Sequence, residues 1–155
     1  MKNEKVAQPK ESPDPQTRCE TTLASRILVV DDEEAVRQVS AAVLSRFGYQ
    51  TETAKDGAAA WEALQTKSYD LLITDNNMPK VSGVELVKKL RSANMTMPVI
   101  LASGVLPREE LNRNPWLQPV ATLEKPVSAG LLLETVNEFL ARPKVSATVP
   151  GSIFR

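Results

Sequence analysis

Five side chains of this 155-residue chain are of types that could do chemistry together: Asp31, Asp32, Asp75, Ser103 and Lys125. Three carboxylates brought within a few ångströms repel one another, and keeping them ionised calls for a compensating cation. The chain has no histidine and a single cysteine, Cys19. That removes Ser-His-Asp and Cys-His triads, every histidine-containing metal site, and any intramolecular disulfide or thiolate cluster. An oxygen-only donor set favours Mg²⁺ (or Mn²⁺). Lys125 adds one mobile positive charge and Ser103 a hydroxyl. A carboxylate, a hard cation, a lysine and a hydroxyl suit phosphoryl transfer onto a carboxylate oxygen. The cation and the lysine would neutralise the equatorial oxygens during in-line attack.

These residues lie far apart in sequence, so the fold must bring them together. Short apolar runs alternate with helical periods from about Arg26 to Ala141. Ile27 to Val30 reads as a strand buried on both faces and ends at Asp31-Asp32. Ala35, Val36, Val39, Ala42, Val43 and Phe47 then recur at helical spacing, with Gly48 as a stop. Tyr49 to Thr53 is a second strand, and Asp56-Gly57 opens a helix through Ala58, Trp61 and Leu64. Leu71 to Thr74 is a third strand ending at Asp75, followed by a helix marked by Val84, Val87 and Leu90. Pro98 to Ala102 is a fourth strand ending at Ser103. Ala121 to Leu123 is a fifth, leading to Lys125-Pro126, after which Ser128 caps a helix carrying Leu132, Val136, Phe139 and Leu140. Trp61 and the apolar stripes are read as core or helix packing. Five strand–helix alternations predict an α/β fold, a doubly wound five-stranded parallel sheet with helices on both faces. In such sheets the site lies at the carboxyl ends of the strands, where Asp31, Asp32, Asp75, Ser103 and Lys125 all fall.

Composition agrees with a globular domain of ordinary kind: 42% hydrophobic, 25% charged, with 19 Lys+Arg against 19 Asp+Glu. A balanced charge gives no sign of a direct nucleic-acid partner. The apolar runs are strand-sized, shorter than the roughly 18 residues of a membrane span, and the first residues hold no signal-peptide core. No membrane association and a cytoplasmic location are expected. Residues 1–25 are polar and proline-containing and are read as a flexible leader; 26–141 form the domain, and 142–155 a flexible tail. Cys19, in the leader, is expected to be an inert or adventitiously oxidised thiol.

Each residue also has an ordinary reading. Asp32, Glu33 and Glu34 could cap and charge-match a helix N-terminus. Asp75-Asn-Asn and Ser103-Gly104 could be turns, and Lys125 a solvated loop charge. Their joint occurrence at four strand ends outweighs these readings.

The same stretches resemble two-component response-regulator receiver domains of the CheY-like, flavodoxin-like type. The resemblance is carried by ILVVDDEE (Ile27 to Glu34), LLITDNNMPKVSG (Leu71 to Gly83), VILASG (Val99 to Gly104) and LEKPV (Leu123 to Val127), with AKDGAAAWEAL (Ala54 to Leu64) between them. It implies strand order 2-1-3-4-5 and a phosphoacceptor signalling domain rather than an enzyme. Asp75 would be the phosphoacceptor. Asp31, Asp32, Asp75 and the Asn77 backbone carbonyl would hold Mg²⁺. Ser103 and Lys125 would bind the phosphoryl group and throw the switch, and Pro126 would follow a cis peptide bond. The donor would be a phosphohistidine on a histidine kinase or histidine phosphotransfer protein. The output would be a protein partner at the helix 4–strand 5–helix 5 face. Both a single-domain regulator and the receiver of a hybrid kinase, passing phosphate to a phosphotransfer protein, fit the resemblance.

Two other classes share parts of this pattern. A flavodoxin-like electron carrier needs a Ser/Thr/Gly-rich phosphate cradle where this chain has Asp-Asp-Glu-Glu. An Asp-nucleophile phosphatase of the haloacid dehalogenase type places its nucleophile in a D-x-D pair after strand one and adds a cap, and neither feature is present. The chain also departs from the receiver pattern. Thr122 stands where the family often has an aromatic residue, Val105 is apolar where water access to the acyl phosphate is tuned, and Pro107 to Pro119 predict a short or irregular fourth helix. Trp116 and Leu117 are expected to form a local apolar surface there.

Overall fold

A computed structural model describes residues 24–140; most of the leader, all of the tail and Cys19 lie outside the described residues. Five strands carry the fold: β1 (Arg26–Val30), β2 (Gln50–Ala54), β3 (Leu71–Asp75), β4 (Val99–Ser103) and β5 (Val120–Glu124). All neighbouring pairs are parallel, and the order across the sheet is β2-β1-β3-β4-β5. The central strands are apolar runs because helices cover both faces. The sequence QTETA of β2 is polar because it is an edge strand with mixed exposure.

The helices are α1 (Glu34–Arg46), α2 (Gly57–Thr66), α3 (Gly83–Ser92), α4 (Arg108–Arg113) and α5 (Ala129–Leu140). Alternate residues of each strand point to opposite faces, which divides the core in two. Leu28, Val30, Leu72, Val99 and Leu101 pack with α2, α3 and α4 through Ala60, Leu64, Val84, Val87, Leu90 and Leu111. Ile27, Val29, Leu71, Ile73, Ile100 and Leu123 pack with α1 and α5 through Leu44, Leu132, Val136 and Leu140. Caps fix where several helices begin. The Asp56 carboxylate accepts from Ala59 N–H at 2.8 Å. At α3 a reciprocal box joins Ser82 and Glu85, each side chain accepting the other's backbone N–H at 3.1 and 3.0 Å, an arrangement that satisfies two otherwise free donors. Gly48, at φ +97°, turns the chain out of α1, a left-handed conformation that favours glycine.

Two packing expectations are corrected. Val39 and Phe47 are 62% and 65% exposed. Only Leu44 of α1 is fully buried, so the apolar stripe of this helix is not a core stripe along its length. Leu117 does not form a surface with Trp116. It is buried, while Trp116 is half exposed. The reason is the short 3₁₀ turn Pro115–Leu117 that follows the six-residue α4: with three residues per turn, it sends two adjacent side chains in different directions. Trp61 is partly buried against the first core, with Lys89 Nζ 5.3 Å from its ring centre.

Candidate functional site

Strand register brings the site together. Val30 pairs with Thr74 across β1 and β3, so the next residues, Asp31 and Asp75, lie side by side. Asp75 pairs with Ala102, and Ser103 with Glu124, which puts Lys125 one step beyond the end of β5. Asp31 and Asp75 are almost wholly buried and Ser103 completely so. Asp32 is exposed at the rim. One carboxylate oxygen from each of Asp31, Asp32 and Asp75 lies within 4.8 Å of the others.

Lys125 reaches back over this group. Its Nζ is 3.2 Å from Asp31 Oδ2 and 3.4 Å from Asp75 Oδ1. Backbone amides hold the carboxylates: Glu33 N–H donates to Asp31 Oδ1 at 2.9 Å and Asn77 N–H to Asp75 Oδ1 at 3.2 Å. Burial pushes the Asp75 pKa up, aided by the neighbouring Asp31 charge; the Asn77 amide and Lys125 oppose the rise without cancelling it. Burial alone would pull Lys125 down, but the two carboxylates together outweigh it and hold the ammonium above its ordinary pKa. The result is a site with more negative charge than one lysine balances. Its donors are all oxygen, as a small hard cation requires. A cavity of about 550 Å³ opens beside it, running between α1 and the start of α5 and lined by Val36, Val39, Ile73 and Leu132 as well as Asp31, Asp75 and Lys125. The Lys125-Pro126 peptide is cis, as is Gln118-Pro119.

Ser103 sits differently from the other four residues. By strand alternation it belongs with Val99 and Leu101, on the opposite face of the sheet from Asp75. Its hydroxyl donates to Val105 C=O at 2.8 Å and accepts from Val105 N–H and Asn77 Nδ2, each at 3.3 Å. Among the described residues, none of its hydrogen bonds goes to Asp31, Asp75 or Lys125.

Sequence reading missed three contributors. The Asn76 side chain accepts from Val84 N–H at 2.9 Å, and its carbonyl accepts from Gly83 and Met78 N–H, tying the end of β3 to the start of α3. The Asn-Asn pair after a strand was the available signal, since such side chains satisfy free helix N–H groups. Arg37 Nη1 donates to the Asp31 carbonyl at 2.9 Å, which no local pattern announces. Gly83 is the third. A Cβ there would lie 2.7 Å from the Asp75 carbonyl, 2.6 Å from Leu101 Cδ2 and 3.0 Å from Asn76 Cα. Because backbone at the site end of β3 must give way, Gly83→Ala is expected to cost about 1–3 kcal/mol. Its urea midpoint should fall with an unchanged m-value, and an unshifted midpoint would contradict the close approach.

The sequence model of the response regulator receiver domain matches residues 27–137, and the chain belongs to that family. It is 33% identical over 120 residues to the sensor histidine kinase RcsC of Escherichia coli K12, covering 77% of this chain and 13% of that protein. It is 32% identical over 124 residues to the alkaline phosphatase synthesis transcriptional regulatory protein PhoP of Bacillus subtilis, 79% of this chain and 51% of that one. The chain therefore spans a small part of the sensor kinases it matches and about half of the regulator. Among solved structures, chemotaxis protein CheY4 of Vibrio cholerae is 30% identical with a TM-score of 0.70, over 76% of this chain and 99% of that one. Response regulator TrrA of Thermotoga maritima, solved in complex with Mg²⁺ and BeF, is 30% identical with a TM-score of 0.66, over 75% and 99%. The sheet order is that of the CheY-like, flavodoxin-type fold. Among the described residues no helix is long and apolar enough to cross a membrane.

Proposed function

We propose that this chain is a phosphorylation switch in which Asp75 accepts a phosphoryl group from a phosphohistidine on a partner protein. The observation that carries the reading is the meeting of Asp31, Asp32, Asp75 and Lys125, from the ends of three strands, in one oxygen-rich and mostly buried cluster. Asp31, Asp32, Asp75 and the Asn77 backbone carbonyl would hold Mg²⁺. Bound there, the ion neutralises negative charge on the incoming phosphoryl oxygens. The Asp75 carboxylate attacks phosphorus, the bond from phosphorus to the donor imidazole breaks, and the histidine leaves with its electron pair. Lys125 exchanges its contact with Asp75 Oδ1 for one with a phosphoryl oxygen. Ser103 then turns its hydroxyl toward the phosphoryl group, and the loop from Gly104 to Pro107 follows, changing the face made by α4, β5 and α5 for a protein partner. The cavity between α1 and α5, lined in part by Asp75 and Lys125, supports approach of a donor to this otherwise buried carboxylate. The chain acts in the cytoplasm, catalysing nothing beyond its own phosphorylation and dephosphorylation; 26–141 is the folded unit.

Incubation with acetyl phosphate and Mg²⁺ should add the mass of one phosphoryl group, removable by hydroxylamine and mapped to the peptide carrying Asp75. EDTA should prevent it. Incorporation that survives EDTA, or that maps elsewhere, would overturn the assignment. A second placement, as the receiver of a hybrid kinase passing phosphate to a phosphotransfer protein, is favoured by the match to RcsC. Phosphotransfer profiling at short times separates the two. A single-domain regulator takes phosphate from one kinase and keeps it, whereas a relay receiver hands it to a phosphotransfer domain within the same assay.

A further inference from the structure

Asn77 touches both halves of the site. Its backbone N–H donates to Asp75 Oδ1 at 3.2 Å, and its side-chain Nδ2 donates to Ser103 Oγ at 3.3 Å. A serine hydroxyl has one hydrogen and two lone pairs. In Ser103 the hydrogen goes to the Val105 carbonyl, and the lone pairs take the Val105 N–H and the Asn77 amide. The hydroxyl is therefore saturated and completely buried, with none of its bonds going to the carboxylates. It can donate to a group on Asp75 only by releasing the Val105 carbonyl. Thr122, beside Leu101 in β5, offers no bulky side chain to decide that rotation, whereas Asn77 reaches the hydroxyl directly.

Resting on the receiver reading above, we infer that the Asn77 side chain is a positioning residue: its amide latches the Ser103 hydroxyl in the resting orientation and so sets how readily the site switches. Asn77 acts through Ser103 and has no part in bond making through its amide. Asn77 is an exposed residue and belongs to neither core, so truncating its side chain leaves both cores intact and keeps its backbone N–H on Asp75. A neutral hydrogen bond of this kind biases an equilibrium by about 2- to 10-fold.

The test is a double-mutant cycle in the full chain, read by beryllofluoride titration in saturating Mg²⁺ with the backbone ¹⁵N–¹H signals of positions 103 and 105 as reporters. Asn77→Ala should bind beryllofluoride about 2- to 10-fold more tightly than the unmodified chain. In a Ser103→Ala background the same substitution should change the affinity by less than about 2-fold, because the hydroxyl it restrains is gone. An equal gain in both backgrounds, or no gain in either, overturns the latch while leaving the receiver reading standing. No beryllofluoride binding by the unmodified chain sinks the receiver reading, and the latch with it.

Discussion

Asp75→Asn incorporates no phosphoryl group from acetyl phosphate and Mg²⁺, and in metal-free buffer at neutral pH it unfolds at a higher temperature than the unmodified chain. The first half follows from chemistry: an amide has no carboxylate oxygen to attack phosphorus. The second half follows from the electrostatics of the pocket. Burial and the adjacent Asp31 raise the Asp75 pKa, so the native state holds this proton more tightly than the unfolded chain does. Native stability therefore falls as pH rises from the ordinary carboxylate pKa through the raised one, and the cost is fully present above it. The amide of the variant carries no such charge and escapes the cost. The difference in melting temperature should shrink as pH is lowered through the raised pKa, and again when Mg²⁺ stabilises the unmodified chain by binding its native state. A variant that still takes up phosphate removes Asp75 as acceptor. A variant less stable than the parent at neutral pH would show that the cost of burying this charge, with Asp31 beside it, is not the controlling strain.

The second large effect is expected far from the chemistry, at Arg91→Ala. The Arg91 guanidinium donates to the carbonyls of Leu117, Met95, Met97 and Pro119 at 2.8, 2.7, 2.7 and 3.1 Å. Those carbonyls lie on the two segments that lead into β4 and β5, so one side chain pins both approaches. Burial pulls the pKa of this group down, and the cost of desolvating it is offset by the fork of donors that the planar guanidinium presents. Truncation removes four charge-assisted hydrogen bonds and leaves partly buried carbonyls to find water, a loss of about 2–4 kcal/mol after the relief of burying the charge. Urea unfolding would read it as a lowered midpoint. Arg91→Lys should recover only part of the loss, since a point charge cannot serve four carbonyls at once. Stability equal to the parent in both variants would show that these carbonyls are as well satisfied by solvent.

Much of the fold was legible because it is written locally. Each central strand is a run of Val, Leu and Ile, and each ends in a polar residue that could not continue it, so strand ends and site residues coincide. Asp56, Ser128 and Gly48 announce helix ends by their own backbone chemistry. The α1 stripe misled because apolar periodicity states only that a helix has an apolar face. How much of that face is covered depends on how closely the helix lies on the sheet, and here Val36 and Val39 line an open cavity instead of filling a core. Leu117 misled because its neighbours in sequence are prolines and a tryptophan, while its neighbours in space belong to the first core.

By itself the sequence determined the class of fold, the strand ends and the residue types at the site, including the acidic excess facing one lysine and the absence of any histidine. Any phosphohistidine donor would therefore lie outside these 155 residues. Tertiary structure alone decided what those side chains hold in the resting state. Asp31 and Asp75 share Lys125, Asn76 joins β3 to α3, and Ser103 is turned to Val105 and Asn77. Residue type fixes what a group can donate or accept. Which partner it takes depends on strand register, side-chain alternation and loop geometry across a sheet whose neighbours are up to 94 positions apart in the chain.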